Sequence, residues 1–429
     1  MASDSTNRFY GWQNACFLFI VYFVTVGLIF YGFSAIFPVM IQEMGWKRAE
    51  ASVAHTLASV LMGLLMPVVA VVLHRIGSRL TILAGLGILL LGLGLLSTVT
   101  TRLWQWIVIW GFFMPFGFAF TGILPLQVTI NYWFNIKRGT VIGLVLSGGA
   151  LGGFIAQPVF TWLMQLAGTW RIGWICGGIL VVFAFAAAFR VRTNPQEMGQ
   201  YPDGLTPEET RAAEQGAGKT AATYRTVATW KLKEAVRTRT LYLLLLLMIA
   251  QAMSLFMITS HGILHLTDLG YTKMQAASIL GFIILGSGVA RFPMGWLADR
   301  VEARWISTAA VTLMLVAFIG IWRAPNTSAL MIFGPLFGFG YGTIIVMMSI
   351  LIANYYGPDA FASINGLIGP IVIPFAAMVP VGAGFIADKL GSYDLAFICI
   401  SVVLVFASLG SAMLKPPQKA ESTAEGYEE

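Results

Sequence analysis

Residues 276–297 read AASILGFIILGSGVARFPMGWL, an apolar stretch long enough to cross a bilayer, and Ala298-Asp299-Arg300 follows it. Arg291 lies about two helical turns before this polar end, or ~12 Å from Asp299 at ~1.5 Å per residue. A cation at that depth costs on the order of 3 kcal/mol, so it should face protein or water, not lipid. Since no Asp or Glu lies deep in any apolar span, we predict that the partner of Arg291 is an anionic ligand.

The rest of the chain repeats this apolar pattern. It is 58% hydrophobic and 10% charged, with a mean hydropathy of +0.79, whereas soluble domains carry about 25% charged residues. Stretches of near-spanning length predict an all-α membrane protein with about twelve transmembrane helices. The predicted spans are 16–39, 51–73, 81–99, 104–128, 139–163, 173–189, 241–264, 276–297, 306–321, 329–353, 362–386 and 395–413.

The distribution of Lys and Arg predicts the orientation. With both termini cytoplasmic, most of the 26 basic residues fall on cytoplasmic segments, as in proteins of the inner membrane. This topology accounts for the net charge of +7 without nucleic-acid binding. Residues 1–7 are polar and precede an apolar run too long for a cleavable signal. The three cysteines lie in apolar spans at unrelated spacing, so we expect no disulfide, metal site or cofactor.

One long polar segment divides the spans into six plus six. The predicted units are a helical bundle at 1–192, a cytoplasmic linker at 193–239 with an amphipathic helix near 229–237, a second bundle at 240–414 and a cytoplasmic tail at 415–429. The halves share motifs at a nearly constant offset: GFAF at 117–120 and GFGY at 338–341, NYW at 131–133 and NYY at 354–356, GTW at 168–170 and GSY at 391–393, and Arg75 and Arg300. Such repeats predict a substrate site near the midplane and alternating access.

The loop after 276–297 carries a family motif. GWLADR at 295–300, continuing to Arg304, resembles the loop motif of the major facilitator superfamily, which implies two pseudo-symmetric six-helix bundles. Gly295, Asp299 and Arg300, with Arg75 of the first-half copy, would then form the gating motif. The first copy, LHRIGSR at 73–79, has His74 where the family usually has Asp, so we expect the gate to depend mainly on Asp299.

Further motifs resemble the monocarboxylate transporters. These are GFSAIFP at 32–38, WF at 133–134 with KRG at 137–139 and SGG at 147–149, WR at 170–171, and ARFPMG at 290–295. The resemblance implies transport of lactate, pyruvate and related acids, commonly with a proton. Two positions depart from the animal transporters, with Val39 in place of a Lys and Ser287 in place of an Asp. The related oxalate–formate exchangers add a Lys in helix eleven, where Val372 stands here.

The candidate substrate ligands surround Arg291, whose guanidinium matches a carboxylate bidentately. Ser287 shares its helix face, and flanking glycines leave room for a small ligand. Tyr341 and Phe120 occupy matching places in the two halves and could clamp the apolar part of a substrate, while Ser147 and Asn365 add polar groups. For each of these, the alternative is a structural role: an Arg bonded to helix carbonyls, core aromatics, or interhelical hydrogen bonds.

His55, near the outer end of the second span, is the candidate proton carrier, because its charge changes in the physiological pH range. The alternative is a hydrogen-bonded packing histidine. Together these residues predict a secondary transporter of small monocarboxylates, a proton symporter that functions as a monomer in the bilayer. Carboxylate exchange without a proton is the nearest alternative. An intramembrane enzyme would usually need buried acids or a metal cluster, and a sensor would need an output domain.

Overall fold

The computed structural model describes residues 9–206, 208–209, 223–226 and 228–419. The polar start of the chain at 1–7, most of the predicted tail at 415–429 and part of the predicted linker lie outside these residues. The described chain is helical and contains no strand. An all-α architecture is what a bilayer imposes on such a sequence, since helices satisfy every backbone polar group within the segment.

Ten helices in the described residues are long and apolar enough to span a membrane. They provide twelve crossings, because two helices break at glycines with positive φ, Gly77 (φ 75°) and Gly357 (φ 80°). The crossings are α1 (Gly11–Met44), α2 (Arg48–Leu64, then 66–76), α3 (78–98), α4 (Leu103–Trp133), α5 (Arg138–Ala167), α6 (Arg171–Ala188), α7 (Arg239–Gly262, continued by Ile263–Asp268), α8 (Lys273–Ala298), α9 (Ala303–Trp322), α10 (327–356), α11 (358–390) and α12 (Asp394–Ala412).

The fold class predicted from the sequence is confirmed, although several helices are longer than their apolar cores. The first crossing was predicted at 16–39 and extends over Gly11–Met44. Its added turns carry polar residues such as Gln42 and Glu43. Such residues end the apolar stretch that hydropathy detects, but the helical hydrogen bonds continue through them.

The two halves meet along two seams, α5 against α8 and α2 against α11. Small residues allow close approach: a Cβ added at Gly139 would lie 2.4 Å from the Gly295 carbonyl oxygen, and one at Gly366 would lie 2.9 Å from the Ala70 Cβ. Gly, Ala and Ser are typical of helix interfaces in membranes for this reason. Both contacts lie toward the end of the bundle that carries the residues between α6 and α7. We call this end the linker side and the other end the far side.

The described part of the linker ties the halves together on the linker side. Asp203 accepts hydrogen bonds from the backbone N–H groups of Asn135 (2.7 Å) and Ile136 (2.8 Å) in the first half. The N–H of Thr226 donates to the Asn354 carbonyl in the second half (2.7 Å). The described part of the linker therefore contacts both bundles on the linker side.

The predicted amphipathic helix at 229–237 is shorter in the structure. A single turn, Leu232–Ala235, is present, and Lys231 before it is extended. Trp230 is buried and packs edge-on against Tyr356 of α10. Because these apolar groups pack on the protein, this turn does not form an amphipathic face toward a membrane surface.

Candidate functional site

Arg291 lies on α8 where that helix crosses α5 and is only 5% exposed. Its Nη1 donates to the Leu146 carbonyl of α5 at 2.7 Å, so the side chain bridges the two halves. Its Nη2 donates to the Ser287 hydroxyl at 3.3 Å, and its Nε has no hydrogen-bond partner in the described structure. The ion pairs among the described residues, Lys47–Glu50 and Lys419–Glu234, leave the guanidinium without a carboxylate there.

Tyrosine hydroxyls lie near this guanidinium. Those of Tyr22 and Tyr341 are close enough to Arg291 to interact with it electrostatically, and Tyr31 lies near both of these tyrosines. Tyr22 is buried, while Tyr31 and Tyr341 are partly exposed. Tyr22 and Tyr341 thus offer hydroxyl donors beside one buried cation, an arrangement suited to the oxygens of a small anion.

Sequence analysis selected Tyr341 but missed Tyr22 and Tyr31. In a regular α-helix these two α1 residues, about two and a half turns apart, would face opposite sides. The stretch between them, Phe23–Phe30, is a π-helix. Its wider turns bring the two residues toward one face, and π segments frequently occur at functional sites. Two tyrosines in the predicted span 16–39 could have indicated a polar site, because a buried tyrosine hydroxyl needs a hydrogen-bond partner.

The other predicted ligands occupy different surroundings. Ser147 lies beside Leu146 on α5, and its hydroxyl donates to the Leu144 carbonyl at 2.7 Å. Phe120 has its Cβ against Gly85 of α3, within the first half. The Asn365 amide donates to the Phe361 carbonyl of its own helix at 3.0 Å. The structure therefore groups Arg291, Ser287 and Tyr341, with Ser147 nearby, and records no contact of Phe120 or Asn365 with them.

His55 packs in an aromatic cluster of the first half. Its ring stacks on Phe33, with centroids 4.6 Å apart and planes 13° apart, and lies 6.1 Å from the Phe30 ring. Its Nδ1 is buried without a hydrogen-bond partner in the described structure. In the described structure His55 contacts rings of α1 and does not contact Arg291. A proton on His55 would therefore affect the Arg291 site through α1.

A cavity of about 580 Å³ opens between α5 and α8 on the far side of Arg291. Ser147 and Gly288 line it, each the next residue after a hydrogen-bond partner of the guanidinium. The remaining lining is mostly apolar and includes Phe154 and Ile284. Arg291 and Ser287 do not line this cavity, whose walls come from α5 and α8.

Asp299 of the predicted gating motif joins α8 to the start of α5 on the linker side. Its carboxylate accepts from the Gly139 N–H (2.7 Å), the Thr140 N–H (2.8 Å) and the Thr140 hydroxyl (2.5 Å) at the start of α5. Burial raises the pKa of Asp299 above its ordinary value, although these hydrogen bonds act in the opposite direction. Arg300 lies over the Trp296 ring at 3.8 Å and donates to the Trp296 carbonyl.

The first-half copy of the motif is weaker. Arg75 is exposed, and the His74 Nε2 lies 3.1 Å from the Ser363 hydroxyl of α11. In the repeat that pairs Asn131 with Asn354, Ser363 takes the place of Thr140. Among the described residues, the α2–α11 seam therefore holds one side-chain hydrogen bond, whereas the α5–α8 seam holds the three to Asp299 and the one from Arg291 to Leu146.

Comparison with known proteins assigns the family. The profile of the Major Facilitator Superfamily matches residues 18–372, with a second match at 263–429. The chain is 23% identical to rat Monocarboxylate transporter 12 over 444 aligned positions, covering 96% of this chain and 87% of that protein. It is 24% identical to an MFS-type transporter of Gibberella moniliformis, covering 76% of this chain and 73% of the relative.

Solved structures agree with the fold. The E. coli fucose:proton symporter FucP superposes with a TM-score of 0.68 at 14% identity, covering 95% of this chain and 100% of that one. A structure of FucP in the outward conformation gives a TM-score of 0.69 at the same identity, covering 94% of this chain and 98% of that one. The resemblance noted in the loop motif is thus confirmed. The chain belongs to the Major Facilitator Superfamily and is a multi-pass membrane transporter.

Proposed function

We propose that this transporter carries small monocarboxylate anions such as lactate and pyruvate across the cell inner membrane, with both termini cytoplasmic. The observation that carries the proposal is the buried Arg291, which has an unpartnered Nε and no carboxylate partner among the described residues. A guanidinium binds a carboxylate through charge-assisted hydrogen bonds, which are stronger than those to a neutral carbonyl. The names of the monocarboxylate transporters among its relatives support the same substrate class.

The bond from Arg291 to Leu146 supports a simple coupling of binding to reorientation. In the structure, Nη1 holds the α5 carbonyl and so helps to join the halves near the linker side. A substrate carboxylate is the stronger acceptor and would draw the guanidinium away from Leu146. Substrate binding would then weaken the seam that must open during alternating access.

A single buried cation favours one carboxylate over two. Two negative charges beside Arg291 would leave a net negative charge at membrane depth, which is costly. The predicted eleventh span contains no Lys. Val372, which stands where the oxalate–formate exchangers have a Lys, is buried. Lactate and pyruvate should therefore compete better than oxalate or succinate.

Proton symport is the favoured mode of coupling. When one anion and one proton bind together, the net charge of the site does not change. The loaded and the unloaded transporter therefore reorient with the same charge in the membrane. His55 is the proposed proton carrier, with an unpartnered Nδ1 in its aromatic cluster. The second candidate is carboxylate exchange without a proton, for which anion binding at Arg291 alone would suffice.

Uptake of labelled lactate and pyruvate into proteoliposomes tests the proposal. We expect uphill accumulation under an inward proton gradient, inhibition by unlabelled monocarboxylates, and weaker inhibition by oxalate and succinate. Accumulation that ignores the gradient while counterflow persists would replace symport by exchange. Failure of every monocarboxylate to enter or to exchange would contradict the proposed substrate class.

A further inference from the structure

We infer that a polar pocket on the linker side binds a phosphate group, and that the bound phosphate joins the two halves there. The pocket measures about 450 Å³ and is lined by residues of both halves and of the linker. It contains neither Arg291 nor the hydrogen-bond partners of Arg291, so it is separate from the candidate substrate site.

Two arginines line this pocket from different parts of the chain. Arg138 stands at the start of α5 and is only 5% exposed, whereas Arg225 belongs to the linker and is partly exposed. The two guanidinium groups are close enough to repel each other electrostatically. Among the described residues, neither forms an ion pair. An anion bound in the pocket would relieve this repulsion.

Both guanidinium groups keep N–H donors for a ligand, since each carries about five. Arg138 donates to a backbone carbonyl and to the side-chain oxygens of Asn135 and Asn354. Arg225 donates to the Ile136 carbonyl. The unused donors suit the several oxygens of a phosphate, which arginine binds through charge-assisted hydrogen bonds.

Asn131, on the last turn of α4, adds a buried amide to the lining. It is 4% exposed, and neither its amide nitrogen nor its amide oxygen has a hydrogen-bond partner in the described structure. Such a group needs a ligand or a water that can both accept and donate. Hydrogen phosphate offers acceptor oxygens and an O–H together, whereas a carboxylate offers acceptors alone.

The carboxylates near the pocket do not neutralise the two arginines. Asp203 lines the pocket, but its oxygens accept from backbone N–H groups at 2.7 and 2.8 Å. Asp299 is bonded to the start of α5, and Asp359, near the lining residue Tyr132, is exposed. Two cations without an ion pair match a doubly charged phosphate better than a single carboxylate.

A phosphate in this pocket would stabilise the contact between the halves. Arg138 of the first half donates to the Asn354 side chain of the second half at 3.0 Å, and Ala353 and Pro358 of the second half complete the lining. Separation of the halves on the linker side would pull these walls apart. A ligand that binds one arrangement better than another favours that arrangement, so phosphate should slow transport.

Calorimetry on the purified full-length transporter tests the site, with inorganic phosphate as the probe and ionic strength held constant with chloride. We expect one saturable site. Arg225→Gln should weaken binding roughly ten- to a hundred-fold, because it removes a charge-assisted contact. Arg237→Gln is the matched control, since Arg237 is also a partly exposed arginine before α7 but does not line the pocket. The control should bind phosphate normally.

Asn131→Leu separates a ligand role from a structural one. Leucine has nearly the same shape, and the amide has no partner to lose in the described structure, so thermal stability should not fall. Phosphate affinity should still drop roughly two- to ten-fold. Phosphate should also shorten spin-label distances between the halves on the linker side in the wild type, and not in Arg225→Gln.

Arg291→Lys and excess pyruvate distinguish this pocket from the candidate substrate site. Both should leave phosphate binding unchanged. If either removes it, phosphate binds at Arg291 and the linker-side site is wrong. It is equally wrong if the wild type shows no saturable binding, or if Arg225→Gln and Asn131→Leu bind like the wild type. If these variants behave as expected but no monocarboxylate is transported, the phosphate site stands and the proposed function fails.

The source of the phosphate group is identified by repeating the titration in lipid nanodiscs. If phosphatidic acid in the bilayer abolishes phosphate binding and phosphatidylcholine does not, the pocket holds a lipid headgroup. If binding is the same in both bilayers, the pocket takes a soluble phosphate from the linker side.

Discussion

Replacement of Arg291 by lysine should abolish most carboxylate binding while leaving the fold intact. Lysine keeps the positive charge but presents it as a point donor in place of a planar fork. In the structure the fork serves two acceptors at once, the Leu146 carbonyl at 2.7 Å and the Ser287 hydroxyl at 3.3 Å. A bidentate carboxylate would use the same fork.

The magnitude follows from the loss of one of two charge-assisted hydrogen bonds. Such a bond contributes about 1.5–3 kcal/mol, so monocarboxylate affinity should fall roughly ten- to a hundred-fold.

The assay is pyruvate binding by calorimetry together with uptake into proteoliposomes, after membrane insertion has been checked. Arg171→Lys is the matched control, because both Nη atoms of Arg171 donate to the Thr100 carbonyl, in the first half and away from the candidate site. We expect the control to bind pyruvate normally. Near-normal affinity in Arg291→Lys would refute the anion-site assignment and return Arg291 to a purely structural role.

His55→Asn removes a titratable ring but keeps hydrogen-bonding capacity, so gradient-driven pyruvate accumulation should be lost while counterflow at equal pH persists. If both activities survive, His55 only packs against Phe33. Tyr22→Phe removes the hydroxyl beside Arg291 and should weaken pyruvate binding roughly two- to ten-fold by calorimetry, whereas unchanged affinity would exclude Tyr22 from the site. The pKa of Asp299 is raised in the closed state, and an opened gate would expose the carboxyl to water and return its pKa to the ordinary value. The closed state then binds the proton more readily, so acidification should favour closure on the linker side. Spin-label distances between the two halves should show this shift in the wild type and not in Asp299→Asn.

Much of the fold could be predicted from the sequence, because hydropathy and span length report directly on what a bilayer accepts. The ends of the helices could not, as the extension of α1 through Gln42 and Glu43 illustrates. The breaks at Gly77 and Gly357 fall in the predicted loops between spans 51–73 and 81–99 and between spans 329–353 and 362–386, although the residue that takes the positive φ in each loop could not be predicted.

The centre of the candidate site was predictable from one residue, because a cation at membrane depth demands a partner. Its surroundings were less so. The place of Tyr31 near the anion site depends on the π-helical stretch before it, and the Leu146 contact is to a backbone carbonyl, which side-chain patterns do not report. Phe120 and Tyr341 match in sequence, yet only Tyr341 lies beside Arg291, because a repeat preserves position along a helix better than the direction of each ring.

The unequal seams have a consequence for the path of the conformational cycle. The loop of the second half carries the carboxylate of Asp299, whereas the first-half copy carries His74, and in the described structure one side-chain hydrogen bond, His74 to Ser363, joins α2 to α11. The edge that is held by fewer hydrogen bonds needs less free energy to separate. We expect the linker side to part first between α2 and α11, and the Asp299 edge between α5 and α8 to open later. The halves would then tilt apart at the α2–α11 edge first, and solute would enter or leave along that edge, past His74.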